Sequence, residues 1–288
     1  MKPSSAFFAA FTFLFTATAG AQQSPQPIAK DATVFSYKLH YLEAGRGEPV
    51  ILLHGTGGEG ARWMPTIQGL AGSFRVIAPD QIGFGQSDKP LTIYHTGVFA
   101  GFLAQFMKSI GVAKATIMGQ SMGAGVALYM AVHHPEMVER LVLVDGGGYR
   151  SASDPPPAAP NWHNRQIANA GTLEESREYM EKLIYDHSFV TDELVEHNLE
   201  LRLRSAFTIE SMQTANERRL GGVTEAEVRG IKVPTLLVWG ANDPLSSPAN
   251  ADSSMARSRT PARSCSTRPA TIRSWSTRTN SISWCWIS

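Results

Sequence analysis

Five short apolar runs limit the possible folds of this sequence more than any other feature. They are PVILLHG (49–55), FRVIAPD (74–80), ATIMGQS (115–121), RLVLVDG (140–146) and PTLLVWG (234–240). Each run is apolar on both faces and is bounded by turn residues, which is typical of strands buried in a parallel sheet. Segments 97–110 and 122–134 lie between these runs and have helical spacing of apolar residues. The alternation predicts an α/β fold with helices on both faces of a mostly parallel sheet.

The alternation stops after residue 145, where the stretch GGGYRSASDPPPAAPNW is rich in Gly and Pro. Residues 172–229 are charged and amphipathic, and EESREYMEKLIYDH and DELVEHNLELRLRSAF within them predict helices. We therefore predict a helical cap over 149–229, inserted between two parts of one sheet domain, 22–148 and 230–252.

The N-terminal residues predict export. Lys2 precedes an apolar run from Ala6 to Ala19, and Ala19-Gly20-Ala21 forms a small-x-small cleavage site. These features indicate a signal peptide over 1–21, and hence a periplasmic or secreted protein. No later run is long enough for a membrane span.

Charge argues against a nucleic-acid partner. Without residues 1–21 and 253–288, the chain has 19 basic and 25 acidic residues, an excess of negative charge. The sequence suggests no metal site and no cofactor. It gives no indication of the oligomeric state.

Two motifs have the residue types of nucleophilic catalysis. IMGQSMGAG places Ser121 in a Gly-x-Ser-x-Gly turn between a predicted strand and a predicted helix. LLHGTGGEG follows an earlier strand and can bring the backbone N–H of Thr56 or Gly57 next to that of Met122. Two such donors would stabilise the oxyanion of a tetrahedral intermediate. A phosphate-binding loop would need a following Lys, which is absent here.

These motifs, together with PDQIGFGQSD and WGANDP, resemble the α/β-hydrolase superfamily over roughly residues 33–252. The resemblance implies a serine hydrolase acting on small esters or related acyl compounds through a Ser–His–acid triad, with Ser121 as nucleophile and Asp243 as acid. Asp145 is the alternative acid. The resemblance further implies that His54, Asp80 and Asp88 have structural rather than catalytic roles.

Within the superfamily, the alternative activity is hydrolysis of a C–C bond in meta-cleavage products. LVEHNLELRLR resembles the cap helix of those enzymes, with Arg204 where they bind a substrate carboxylate. A solvent-exposed helix face is the other interpretation of Arg204.

The C-terminal segment does not fit this scheme. Residues 253–288 contain ten Ser, five Thr and six Arg, with no Asp, Glu, His, Lys or Gly. The triad needs a His after Asp243, but the last of the eight His is His197. We therefore expect the chain to be inactive or nearly so, and 253–288 to be a disordered tail that lacks the final strand and closing helix.

A shift of the reading frame by one nucleotide would account for this segment. In the shifted frame WCWI (284–287) necessarily reads Val-Leu-Asp, and RSCSTRPATIRSW (263–275) can read Leu-Val-Leu-Asp-Ala-Ala-Gly-His-Tyr-Pro. This order of strand, His and helix is the one that the resemblance implies, so we predict a frameshift between about residues 247 and 260. A genuine tail would instead indicate a non-catalytic binding protein with a hydrolase fold.

Overall fold

The computed structural model describes residues 25–146, 171–184, 186–218, 220–240 and 264–267. Within these ranges one eight-stranded sheet has the spatial order β1-β2-β4-β3-β5-β6-β7-β8. The strands are β1 (Ile28–Val34), β2 (Tyr37–Ala44), β3 (Pro49–Leu53), β4 (Arg75–Pro79), β5 (Ala115–Gln120), β6 (Val138–Val144), β7 (Thr235–Gly240) and β8 (Ser264–Thr267). The pairs β1–β2 and β2–β4 are antiparallel, and all other pairs are parallel. The predicted α/β class and mostly parallel sheet are confirmed.

Seven α-helices accompany the sheet in the described ranges. They are α1 (Met64–Leu70), α2 (Thr96–Ser109), α3 (Met122–His133), α4 (Leu173–Leu183), α5 (Asp192–Arg204), α6 (Ala206–Glu217) and α7 (Glu225–Arg229). Because side chains alternate along a strand, β3 contributes to two separate cores. Ile51 joins the cluster that includes α2 and α3, whereas Leu52 joins the cluster that includes α1. None of the described helices has both the length and the apolar character required to cross a bilayer.

The hairpin of β1 and β2 was not among the predicted strands. β1 is exposed along most of its length, so it lacks the apolar run that marks the central strands. A two-residue turn joins the strands, with φ of 49° at Phe35 and 70° at Ser36. The rings of Phe35 and Tyr37 contact Phe102 of α2, with centroid distances of 5.3 and 6.1 Å. These contacts fix the hairpin on the domain.

The expectation that the final strand is missing was wrong. β8 forms within the unusual C-terminal segment and pairs in parallel with β7, from Leu237↔Ser264 to Gly240↔Thr267. The physical reason is that a free sheet edge presents unpaired N–H and C=O groups, which any extended backbone can satisfy. Four residues such as Ser-Cys-Ser-Thr can therefore pair at this edge without forming an apolar run. The predicted absence of the closing helix concerns residues outside the described ranges.

The cap segment is helical where the structure describes it. Capping boxes at Thr172 and Thr224 begin α4 and α7. The hydroxyl of Thr208 in α6 donates to the carbonyl of Gly83 at 3.0 Å, and Ile209 joins the main core cluster. The second half of the cap is thus packed into the sheet domain rather than resting on its surface.

Candidate active site

Ser121 lies in a strained turn between β5 and α3. Its φ of 53° and ψ of −115° are unfavourable for a residue with a side chain, at a typical cost of about 1–3 kcal/mol. Hydrogen bonds hold the turn: Ser121 N–H donates to the Val144 carbonyl at 2.9 Å, and the Ser121 carbonyl accepts the N–H groups of Ala124 and Gly125. The side chain is nevertheless exposed. The turn therefore presents an accessible hydroxyl at the carboxyl end of a central strand.

Two glycines of the Gly-x-Ser-x-Gly motif are required by close backbone contacts. A Cβ at Gly119 would lie 2.1 Å from the carbonyl oxygen of Gly123, and a Cβ at Gly123 would lie 2.3 Å from that of Leu53. Distances below 3.0 Å do not occur for real Cβ atoms. The tight passage from β5 to α3 thus depends on both positions.

Ser121 opens into a cavity of about 280 Å³. Its wall includes Met122 and Thr56, both predicted as oxyanion donors, and Met212 and Asn216 of α6. The structure therefore brings Ser121, Met122 and Thr56 together, with the cap helix α6 as part of the enclosure. A small acyl compound fits a cavity of this size.

The loop after β3 can supply an oxyanion donor. Gly58 N–H donates to the Gly55 carbonyl at 3.1 Å, which closes the turn that contains Thr56. Among the hydrogen bonds of the described residues, none uses the backbone N–H of Thr56 or Met122. Gly57, the other candidate, is buried, and a Cβ there would contact the Arg202 side chain at 3.2 Å. Of these two candidate donors, Thr56 lines the cavity and Gly57 does not.

His54 is held as a structural residue. Gln81 N–H donates to its Nε2 at 3.0 Å, so Nδ1 carries the proton and donates to the Gly55 carbonyl at 2.8 Å. Burial lowers the pKa of His54 to about 4. Both ring nitrogens are occupied, so His54 is not available as a base for Ser121.

Two acidic residues also hold loops, in agreement with the sequence-based interpretation. Asp80 is buried and accepts the N–H groups of Gly60 and Gln86, each at 2.7 Å. Asp88 accepts the N–H of Lys38 at 2.7 Å. These bonds connect the loop after β4 to its neighbours, which is a structural role for both carboxylates.

The described residues include neither the expected acid, Asp243, nor a His hydrogen-bonded to Ser121. Asp243 lies outside the described residues, as do residues 1–21. The alternative acid, Asp145, accepts the Gly240 N–H at 2.7 Å and so links the ends of β6 and β7. Among the described residues, no imidazole hydrogen-bonds to Ser121. His95, however, lines the same cavity, and no sequence motif marked it.

Arg204 is exposed, and a different arginine is buried. The Arg204 side chain is 59% exposed and pairs with Glu200 one turn earlier in α5. Two residues before it, Arg202 is 2% exposed and donates to Asn198 Oδ1 at 3.1 Å. Residues two apart in a helix face nearly opposite directions. The placement of Arg204 therefore fits the solvent-exposed interpretation rather than substrate binding.

The described residues contain no group of three or more His, Cys, Asp or Glu side chains that could hold a metal ion.

Comparisons with known proteins agree with this architecture. The 2-hydroxymuconate semialdehyde hydrolase of Pseudomonas sp. (strain CF600) is 30% identical over 231 residues, covering 77% of this chain and 79% of that enzyme. The structure of a meta-cleavage product hydrolase from Pseudomonas fluorescens IP01 matches with a TM-score of 0.68 and 27% identity, over 82% of this chain and 89% of that one.

A shorter match extends to a mycobacterial protein. An uncharacterized protein of Mycobacterium tuberculosis is 38% identical over 122 residues, covering 42% of this chain but 36% of that protein. The chain thus spans about a third of the length of this relative. A family model described as alpha/beta hydrolase fold matches residues 48–265. The chain therefore belongs to the family of proteins with the α/β-hydrolase fold.

Proposed function

We propose that this protein is a serine hydrolase that cleaves small carboxylic esters or related acyl compounds through an acyl-enzyme on Ser121. The observation that carries the proposal is the strained turn at Ser121, in the wall of a cavity that also includes Met122 and Thr56. Backbone strain at an accessible side chain is typical of functional sites, because the fold does not otherwise need it.

In the proposed reaction, Ser121 Oγ attacks the carbonyl carbon of the ester. The carbonyl oxygen becomes an oxyanion, and the N–H groups of Met122 and Thr56 donate to it. Each such donor typically contributes about 10²–10³ in rate. Collapse of the intermediate releases the alcohol and leaves the acyl group on Ser121, from which water removes it. In the first step a base takes the serine proton and gives it to the leaving alcohol. In the second step the base takes a proton from the attacking water and gives it to Ser121 Oγ. In triads of this type the base is a His.

We assign this base to a His encoded in the shifted reading frame of the C-terminal segment, oriented by Asp243. Two observations support the assignment: no His follows Asp243 in the present frame, and the shifted frame permits a strand followed by Gly-His. β8, at Ser264–Thr267, occupies the chain position of that strand. The 288-residue chain is then expected to be inactive or nearly so, because removal of the base loses most of the rate.

The second candidate function is hydrolysis of a C–C bond in a meta-cleavage product. The observation that favours it is the 30% identity to a 2-hydroxymuconate semialdehyde hydrolase over 79% of that enzyme. Against it, the shifted frame can read Gly-His-Tyr, whereas the resemblance to those enzymes implies Gly-His-Trp. Export also does not suit intracellular aromatic catabolism. We propose a periplasmic or secreted location because of the apolar run and cleavage site in residues 1–21.

The test compares the chain of 288 residues with a version in which one nucleotide restores the frame. The restored protein should hydrolyse p-nitrophenyl butyrate, and its Ser121→Ala variant should be folded and inactive. Turnover of 2-hydroxymuconate semialdehyde in preference to the ester would establish the C–C activity instead. No turnover of either substrate by the restored protein would count against both proposed activities.

A further inference from the structure

His95 lines the Ser121 cavity, but the proposed reaction does not use it. The residue immediately precedes α2, and its carbonyl oxygen accepts the N–H groups of Val98 at 2.9 Å and Phe99 at 3.2 Å. The backbone thus anchors His95 at the start of the helix. The imidazole is left without a structural hydrogen bond of its own among the described residues.

One side of the imidazole is closed by backbone. A Cβ at Gly221 would lie 2.4 Å from His95 Nδ1, and a Cβ at Gly97 would lie 3.1 Å from Cε1. Nδ1 is buried and has no hydrogen-bond partner among the described residues. Because a buried N–H without an acceptor is costly, the geometry favours the tautomer that carries its proton on the other nitrogen, Nε2.

Nε2 differs from Nδ1 in its surroundings. No described residue hydrogen-bonds to Nε2, and unlike Nδ1 this atom is not fully buried. It is therefore accessible. The space that His95 lines is the Ser121 cavity, where Phe99 and Met212 supply apolar wall. The ring thus offers an unused N–H donor in the wall of the cavity.

We propose that His95 Nε2–H binds a second acceptor oxygen of the substrate, separate from the carbonyl that Ser121 attacks. The preferred substrates are then acyl compounds with a further carbonyl, ester or carboxylate oxygen, such as diesters, and simple monoesters bind more weakly. This inference rests on the proposed function and narrows its substrate class. An isolated neutral hydrogen bond of this kind changes affinity by roughly three- to tenfold.

The first test measures binding without turnover, in the Ser121→Ala variant of the full chain. Dimethyl succinate and methyl hexanoate have the same chain length but differ in the second ester group, and NMR titration gives the ratio of their affinities. His95→Phe should lower the diester preference about three- to tenfold. His95→Gln, which keeps a donor, should retain part of it, and His134→Phe, a histidine that does not line the cavity, should leave it unchanged. An unchanged ratio in His95→Phe overturns the proposal.

The second test does not depend on the folding of a His95 variant. Nitrogen-15 NMR of the imidazole should show the proton on Nε2 in the free Ser121→Ala protein, and the Nε2 resonance should shift with dimethyl succinate but not with methyl hexanoate. A proton on Nδ1, or equal shifts with both ligands, overturns the proposal. Neither test needs catalysis. Failure of Ser121 as a nucleophile would therefore appear separately, as a restored protein that binds diesters without hydrolysing them.

Discussion

Replacing Gly123 by Ala is expected to destabilise the protein, whereas the same change at Gly125 is expected to stabilise it. Both residues lie in α3, two positions apart, so the two variants add the same methyl group to the same helix. Nothing lies within 4 Å of a Cβ at Gly125, but a Cβ at Gly123 would lie 2.3 Å from the Leu53 carbonyl oxygen and 2.7 Å from that of His54. Comparing the two variants therefore distinguishes the effect of helix propensity on stability from the effect of the backbone contact.

The magnitudes follow from these distances. A Gly to Ala change inside a helix gains about 0.5–1 kcal/mol, and Gly125→Ala should show this gain in full. At Gly123 the same gain is opposed by overpacking against the end of β3, where the clashing atoms are backbone and cannot rotate away. Overpacking costs typically about 1–3 kcal/mol and sometimes more. We expect a net loss of about 2 kcal/mol for Gly123→Ala, and so a difference of about 3 kcal/mol between the variants.

Urea-induced unfolding of the full chain, followed by tryptophan fluorescence, measures this difference. Trp63 and Trp239 are buried in the two core clusters and report loss of both. Linear extrapolation then gives the free energy of unfolding for each variant. If Gly123→Ala proves as stable as Gly125→Ala, α3 does not press on the end of β3, and the geometry derived for the Ser121 turn is wrong.

Four further predictions address other parts of the structure. The pKa of His54 is lowered from 6.5 to about 4 by burial, so the free energy of unfolding should fall by up to about 3 kcal/mol as the pH drops between these values. Urea titrations over this pH range measure the loss, and an NMR titration midpoint of His54 near 6.5 would contradict it. Asp80→Ala should cost about 2–4 kcal/mol in thermal unfolding, because two backbone N–H groups lose a buried acceptor. In the frame-restored enzyme, Asp243→Asn should lower kcat by about 10⁴ while Asp145→Asn keeps most of it; the reverse order would make Asp145 the acid. Intact-mass analysis of exported protein should give Gln22 as the first residue, and retention of Met1 would refute the cleavage site.

The central strands could be predicted because burial on both faces leaves a mark in the sequence. β3, β5 and β6 are apolar runs. The glycines at the Ser121 turn indicate close backbone contacts, because a side chain at either position would clash. The hairpin of β1 and β2 left no such mark, since β1 is largely exposed. β8 was missed because pairing at a sheet edge depends on backbone groups, which every sequence has.

Residues of the candidate site could be located from the sequence where a motif fixes the local backbone, but not elsewhere. Ser121, Met122 and Thr56 follow from two motifs adjacent to strands, and the structure brings them to one cavity. His95 belongs to no motif, because it reaches the cavity through tertiary packing against the segment that contains Gly221. Helical spacing alone could not decide which arginine of α5 is buried.

The most direct test of the account is to trap the acyl group on the protein. The frame-restored chain is mixed with p-nitrophenyl acetate, quenched in acid during turnover, digested and mapped by mass spectrometry. We expect one acetyl group, located on Ser121, and none in the Ser121→Ala variant. Turnover with the acetyl group on another residue, or turnover that persists in Ser121→Ala, would contradict the assignment of Ser121 as the nucleophile.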